Sequence, residues 1–259
     1  MPFPRPIHVL AAATAVVAVA LGPAVRPASA APAETLPTAD QLKPALLTPA
    51  DLGPGYTAIS VTQSPSPGGN QTPVTGCAAL SALINMHATQ TGPQVTHAAV
   101  ELDGPDGNPM VTQSLAAESS DRLTADFKNA TDALKSCHSI TFEAGTQDSV
   151  TFTVSPVTLG DRKDAPAVHL DGTLAGVQLN GYVGIERFGT VAMLFGYFER
   201  QGSNEQTASM QYRTAVAKVE RTLGTHAGST TAPTALPTTV PTTVPTAVPT
   251  ATASEAKRV

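Results

Sequence analysis

A single α+β domain, a mainly antiparallel sheet with helices packed on it, is predicted by three features of the chain. Segments of strand alternation recur from Val100 to Phe198, separated by clusters of Gly, Pro, Asp and Asn, which is how consecutive antiparallel strands read. Two helical stripes interrupt or close that run, each with apolar residues at i, i+4, i+7 and i+11. The only two cysteines, Cys77 and Cys137, enclose the first half of the pattern in one loop.

Residues 1–30 read as a secretory leader: Arg5, an apolar run from Val9 to Leu21, then Ala28-Ser29-Ala30 as a small-x-small cleavage site. The apolar run is too short to be a comfortable membrane span. Residues 31–39 are Ala/Pro-rich and read as a flexible start, and residues 40–228 as the folded domain. Asp40 is placed to cap a short helix with Leu42, Leu46 and Leu47 on one face. Thr48 to Tyr56, with two prolines and two glycines, ends that helix in a turn. The stretch from Ser64 to Gly76 has loop composition.

Helical spacing resumes at Cys77, with Leu80, Leu83, Ile84 and His87 on one stripe; His87 fits a solvated boundary better than a ligand role. Ala98, Val100 and Leu102 then alternate with His97 and Glu101. Asp103 to Pro109 is a turn, so Met110 to Ala116 returns antiparallel. Asp103, Asp106 and Asn108 miss the spacing of a calcium loop and are accounted for by turn chemistry. Ser119 or Ser120 can cap the next helix, whose stripe is Leu123, Phe127, Ala130 and Leu134.

Beyond Cys137 come strands at Ile140–Phe142 and Val150–Val154 around a turn at 145–148, a break from Pro156 to Pro166, and a strand opened by Val168 and Leu170. Leu179, Val183 and Ile185 alternate with Gln178, Asn180, Tyr182 and Glu186; residues 187–190 turn; and Val191 to Phe198 is apolar on both faces, as a central strand should be. Ser203 and Gln206 fit a capping box for a closing helix with Tyr212, Val216, Val219 and Leu223 inward and Gly224 as its stop. Residues 229–259 form a Thr/Pro tract with four-residue repeats such as PTTV, a composition expected to be extended and disordered.

Two cysteines in an exported chain are read as a structural disulfide, Cys77 to Cys137, worth about 4 kcal/mol on a chain-entropy estimate; two free thiols are the alternative. His138 follows Cys137 directly and faces away from it on a strand, so it cannot serve as its base. Formal charge is −5, with 15 Lys+Arg against 20 Asp+Glu, and loss of Arg5 and Arg26 with the leader makes it more negative. That balance argues against nucleic acid and against insertion into or adhesion to an anionic membrane. There is no Trp, and 4% of residues are aromatic, so the core must rest on Val, Leu, Ala and seven Phe.

Neither G-x-S-x-G, S-x-x-K nor H-E-x-x-H occurs. His169 and Asp171 share one strand face and could form half of an acid/base pair, but no motif places a nucleophile beside them, and a polar strand face accounts for both. No metal or cofactor is expected.

The Leu46–Tyr56 stretch (LLTPADLGPGY), Cys77, Phe127 in the helix before Cys137, the strand-rich second half and the closing helix resemble the PknH-type extracellular sensor domain. That domain occurs on actinobacterial receptor Ser/Thr kinases and on related secreted proteins and lipoproteins. The resemblance spans about Leu36 to Gly224 and implies one α+β domain with a ligand cleft and no catalytic residues. The kinase-attached domains carry two disulfides; this chain can form one. The expectation is therefore a secreted, non-catalytic ligand-binding or sensor-like module, in contact with a small molecule or a cell-envelope component. Its binding face is expected on the later strands around Gln178, Asn180 and Tyr182. A structural wall-associated protein is the second reading and an exported hydrolase the third.

Overall fold

The computed structural model describes residues 34–59, 74–77, 96–143 and 149–233. The leader, most of the predicted 64–76 loop, the predicted helix beyond Cys77, the 145–148 turn and the tail beyond residue 233 lie outside the described residues.

Nine strands form one sheet: β1 (Thr57–Ile59), β2 (Val74–Thr75), β3 (Thr96–Asp103), β4 (Met110–Ala117), β5 (Ser139–Glu143), β6 (Ser149–Pro156), β7 (Ala167–Leu174), β8 (Val177–Phe188) and β9 (Val191–Arg200). Their order is β1-β3-β4-β9-β8-β7-β6-β5-β2, and neighbours run antiparallel. Four α-helices accompany them: α1 (Ala39–Leu42), α2 (Pro49–Leu52), α3 (Ser120–Ser136) and α4 (Glu205–Leu223). The two longest strands, β8 and β9, occupy the middle of the sheet, where their sequences placed them.

The sheet carries two cores, one on each face and displaced to opposite sides. On one face α4 and the N-terminal segment cover β3, β4, β9 and β8: Leu102, Val111, Leu115, Met193, Phe195 and Tyr197 pack against Leu42, Leu47, Tyr212, Val219 and Leu223. On the other face Ala133 and Leu134 of α3, with Cys137, cover Ile140, Val154, Val168 and Leu170 of β5, β6 and β7. Strands β8 and β9 contribute to both, through Tyr182 and Tyr197 on one face and Val183, Ile185 and Phe198 on the other. At Gly184 a Cβ would come within 2.6 Å of the Tyr212 ring, so a bare backbone there lets the helix lie directly on β8.

The N-terminal segment departs from the sequence reading. Thr38, not Asp40, caps α1, with Gln41 completing the capping box, because Asp40 already lies inside the helical turn. The helix stops at Leu42; a 3₁₀ turn over Lys43–Ala45 breaks the expected single stripe, although Leu42, Leu46 and Leu47 are all buried. Thr48 to Leu52 is a second capped helical turn, not simply a loop: the Thr48 amide donates to Asp51 Oδ2 at 2.7 Å. Gln113 of β4, 1% exposed, anchors this segment by accepting from the Leu47 N–H (2.6 Å) and reaching the Ala45 carbonyl (3.4 Å).

Cys77 and Cys137 are bonded, with Cα atoms 5.6 Å apart across a separation of 60 residues. Cys77 stands in the coil after β2 and not in a helix, while Cys137 is the C-cap of α3, so the bridge ties a sheet edge to a helix end. Asn204 caps α4 in place of the expected Ser203, its side chain accepting from Thr207 N at 2.9 Å; Gly224, at φ 62°, ends that helix as predicted. Beyond it the chain is strapped to the β8–β9 turn: Gly228 N donates to Arg187 O (2.7 Å) and Gly189 N to Ser229 O (2.9 Å).

Candidate functional site

The expected site residues sit at one pole of the central strands, beside the N-terminus of α4. Strand register sets Asp171 opposite Asn180 and Asn180 opposite Glu199; one pair further along, His169 faces Tyr182 and Tyr182 faces Tyr197. These side chains share the α4 face. That face of β8, polar by sequence, is the more deeply buried one: Asn180 is 2% and Tyr182 3% exposed, whereas Leu179, Val183 and Ile185 on the other face are half-buried. The reason lies in α4, whose own polar and aromatic residues meet the strand there. Of the three expected ligand residues only Gln178 is exposed.

Internal bonds hold this pole together. The His169 ring stacks on Tyr182, centroids 4.6 Å apart and planes within 24°, and Tyr182 tilts against Tyr197 at 6.2 Å. The Asn180 amide nitrogen donates to Gly202 O. Its oxygen must therefore accept from His169 Nε2, 3.0 Å away, which fixes the proton of the neutral imidazole on Nε2. Tyr182 OH lies 2.7 Å from Ser203 Oγ. The partner of His169 is thus Asn180 and not Asp171, whose Oδ1 instead receives a long 3.5 Å contact from Gln178.

Behind these groups lies a second row that the strand pattern does not reveal. Tyr197 OH donates to Glu199 Oε2 at 2.8 Å, and burial together with that carboxylate pushes the Tyr197 phenol well above its ordinary pKa. The Tyr56 phenol is close enough to act on Tyr197 electrostatically and accepts from Gln211 Nε2 of α4 at 2.6 Å. Two acceptor oxygens here are buried and unpartnered: Glu199 Oε1 and Gln211 Oε1. The clue available in the sequence was scarcity: the chain has four tyrosines and no tryptophan, and three of the four, Tyr56, Tyr182 and Tyr197, gather here.

At the other end of β8, Glu186 is 2% exposed and takes Arg162 Nη1 on Oε1 at 2.7 Å. Arg162 is also forked onto Asp164, at 3.2 and 2.6 Å. Burial raises the Glu186 carboxyl above the usual range, with the Arg187 N–H and Arg162 opposing the rise. This pair closes the β6–β7 connection over the core; it lies at the end of the strand remote from Asn180.

No described helix is long and apolar enough to cross a membrane. No protein-family model and no curated protein matches the chain. Among solved structures the chain is similar to the extracellular domain of PknH from Mycobacterium tuberculosis, with a TM-score of 0.44 and 15% identity, covering 73% of this chain and 98% of that one. It is also similar to an uncharacterised protein, the Rv0999 ortholog from Mycobacterium smegmatis, with a TM-score of 0.37 and 14% identity, covering 70% and 94%. The first is the kind of domain that the sequence resembles.

Proposed function

We propose that the chain is a secreted, non-catalytic recognition module of the sensor kind, which binds a small molecule or a cell-envelope component at the Gln178, Asn180 and Tyr182 pole of its sheet. One observation carries the reading: His169, Asn180, Tyr182, Tyr197 and Glu199 are brought together on the two most central strands, where a rigid scaffold holds their geometry. Asn180 and Tyr182 act from behind, as supports that fix His169 and the Gly202–Ser203 backbone. Gln178, Asp171 and the half-exposed His169 form the contacting edge. The His169–Asn180 bond supports a binding role over acid/base chemistry, since the imidazole has no carboxylate partner to orient it as a base. The disulfide supports an oxidising, extracytoplasmic location.

Melting of the purified chain with glycan, lipid and peptide fragments of the envelope tests the reading. Binding to the folded state alone raises the melting temperature with concentration, and the His169→Ala, Gln178→Ala double variant should abolish that rise. A shift that survives in the double variant places recognition elsewhere. A wall-associated structural role is favoured instead by the exposed hydroxyl face of β5 and β6, where Thr141 and Thr151 pair at 2.8 Å beside Thr153 and Ser155; binding of the double variant to isolated cell walls would speak for it.

A further inference from the structure

The row behind the contacting edge has a chemistry of its own, and it rests on the reading of this pole as a recognition site. Glu199 is half-buried and forms no ion pair among the described residues; its Oε2 is met only by the Tyr197 hydroxyl and its Oε1 by nothing. Gln211 is 3% exposed, spends its amide hydrogens on Tyr56 and leaves Oε1 without a donor. Between them stand the Tyr56 and Tyr197 phenols, with the Tyr182 ring beside Tyr197. A buried acceptor without a donor costs about 1–3 kcal/mol, more when charged. Two such acceptors flanking one pair of phenols are therefore a standing demand for N–H donors and positive charge.

We propose that this pole seats a protonated primary amine carried by the ligand. The ammonium supplies three donors and no acceptor, which answers Glu199 Oε1 and Gln211 Oε1 together, and its charge neutralises Glu199. The tyrosine rings present negative faces to it. A hard metal ion is a poorer fit, since it asks for six or more oxygens and only two are uncommitted here. The chain's net charge of −5 draws cations toward it.

The test titrates ethylammonium chloride into the ¹⁵N-labelled chain, with sodium chloride and tetramethylammonium chloride at matched concentrations. The expected result is saturable movement of the Gln211 side-chain amide and of the Tyr56 and Glu199 backbone amides with ethylammonium. Tetramethylammonium, which has no N–H, should act more weakly and sodium not at all. Glu199→Gln should weaken ethylammonium binding about tenfold or more, the loss of one charge-assisted bond. Gln211→Leu should weaken it less. The wild-type titration decides even where a variant does not fold: no saturable movement beyond that of sodium overturns the proposal, and so does an equal response to tetramethylammonium. Envelope fragments that raise the melting temperature through His169 and Gln178, while ethylammonium moves nothing, overturn the amine seat and keep the recognition reading. Saturable ethylammonium binding with no fragment shift keeps the seat and removes the envelope partner.

Discussion

Replacing Arg162 by alanine should destabilise the domain far more than replacing Glu186 by glutamine, although both break the same ion pair. The asymmetry comes from burial: the Glu186 side chain is 3% exposed, Arg162 32% and Asp164 74%. Arg162→Ala leaves a buried carboxylate supported by the Arg187 N–H and a distant Tyr212 hydroxyl at 3.5 Å. Breaking a buried pair in this way costs about 3–5 kcal/mol. Glu186→Gln leaves Arg162 near solvent with Asp164 still forked onto it, and should cost about 1 kcal/mol. The sign with pH follows from burial, which raises the folded pKa of Glu186 above its unfolded value. The folded state then holds the proton more tightly, so this group adds stability as pH falls from its folded pKa toward the unfolded value of about 4.3. Removing Arg162 raises the folded pKa further, so the Arg162→Ala deficit should shrink on acidification from about pH 7 to about pH 5. Chemical denaturation of both variants at the two pH values measures it. An equal or larger cost for Glu186→Gln, or an Arg162→Ala deficit that does not shrink, would refute the reasoning.

Gln113→Leu should cost about 2–3 kcal/mol, read by urea denaturation, because it strands the Leu47 N–H and the Ala45 carbonyl in the core. Hydrogen exchange should quicken first in residues 42–52. For Asp51, burial works to raise the carboxyl pKa, but Lys218 at 2.5 Å and Thr48 prevail and leave it below the usual value. Its contribution is therefore present above the unfolded pKa and lost as pH falls through the lower folded one. Asp51→Asn should cost about 1 kcal/mol near neutrality and nothing once the wild-type carboxyl is protonated, as melting curves at stepped pH would show. In the two-residue β7–β8 turn, Ala175 and Gly176 both have left-handed backbones, at φ 49° and 81°. Ala175→Gly should therefore raise stability by about 0.5–1 kcal/mol in chemical denaturation, unless the added freedom of the unfolded chain cancels the relief.

Strand content was readable wherever one residue in two was apolar, as in Ile140, Phe142, Val150, Phe152 and Val154, because a half-buried strand writes its geometry as a period of two. The central place of β9 was readable for the same reason, since a strand that serves two cores cannot afford a polar side. Tertiary partners were not readable. The polar residues of β8 looked like a solvent face, and only the approach of α4, through Gln211 and Tyr212, buries them. The pairing of Glu199 with Tyr197 and of Gln211 with Tyr56 joins positions up to 155 residues apart, and no local rule relates them. At the N-terminus the choice between Thr38 and Asp40 as cap turned on a shift of two residues, finer than a propensity argument resolves.

The strap at the end of the described chain gives the domain a direction. Ser229 is fastened at the β8–β9 turn, while Asn180 and Glu199 lie at the far ends of the same two strands. Eight residues of β8 separate Asn180 from Phe188, about 26 Å at the rise of an extended strand. Whatever the residues after Pro233 are attached to, they pull on the pole away from the tyrosines. Tension on them enters the sheet through its two innermost strands, along their length, and not by peeling an edge. The domain is thus built like a head on a stalk, with its reading surface turned outward from the point of suspension.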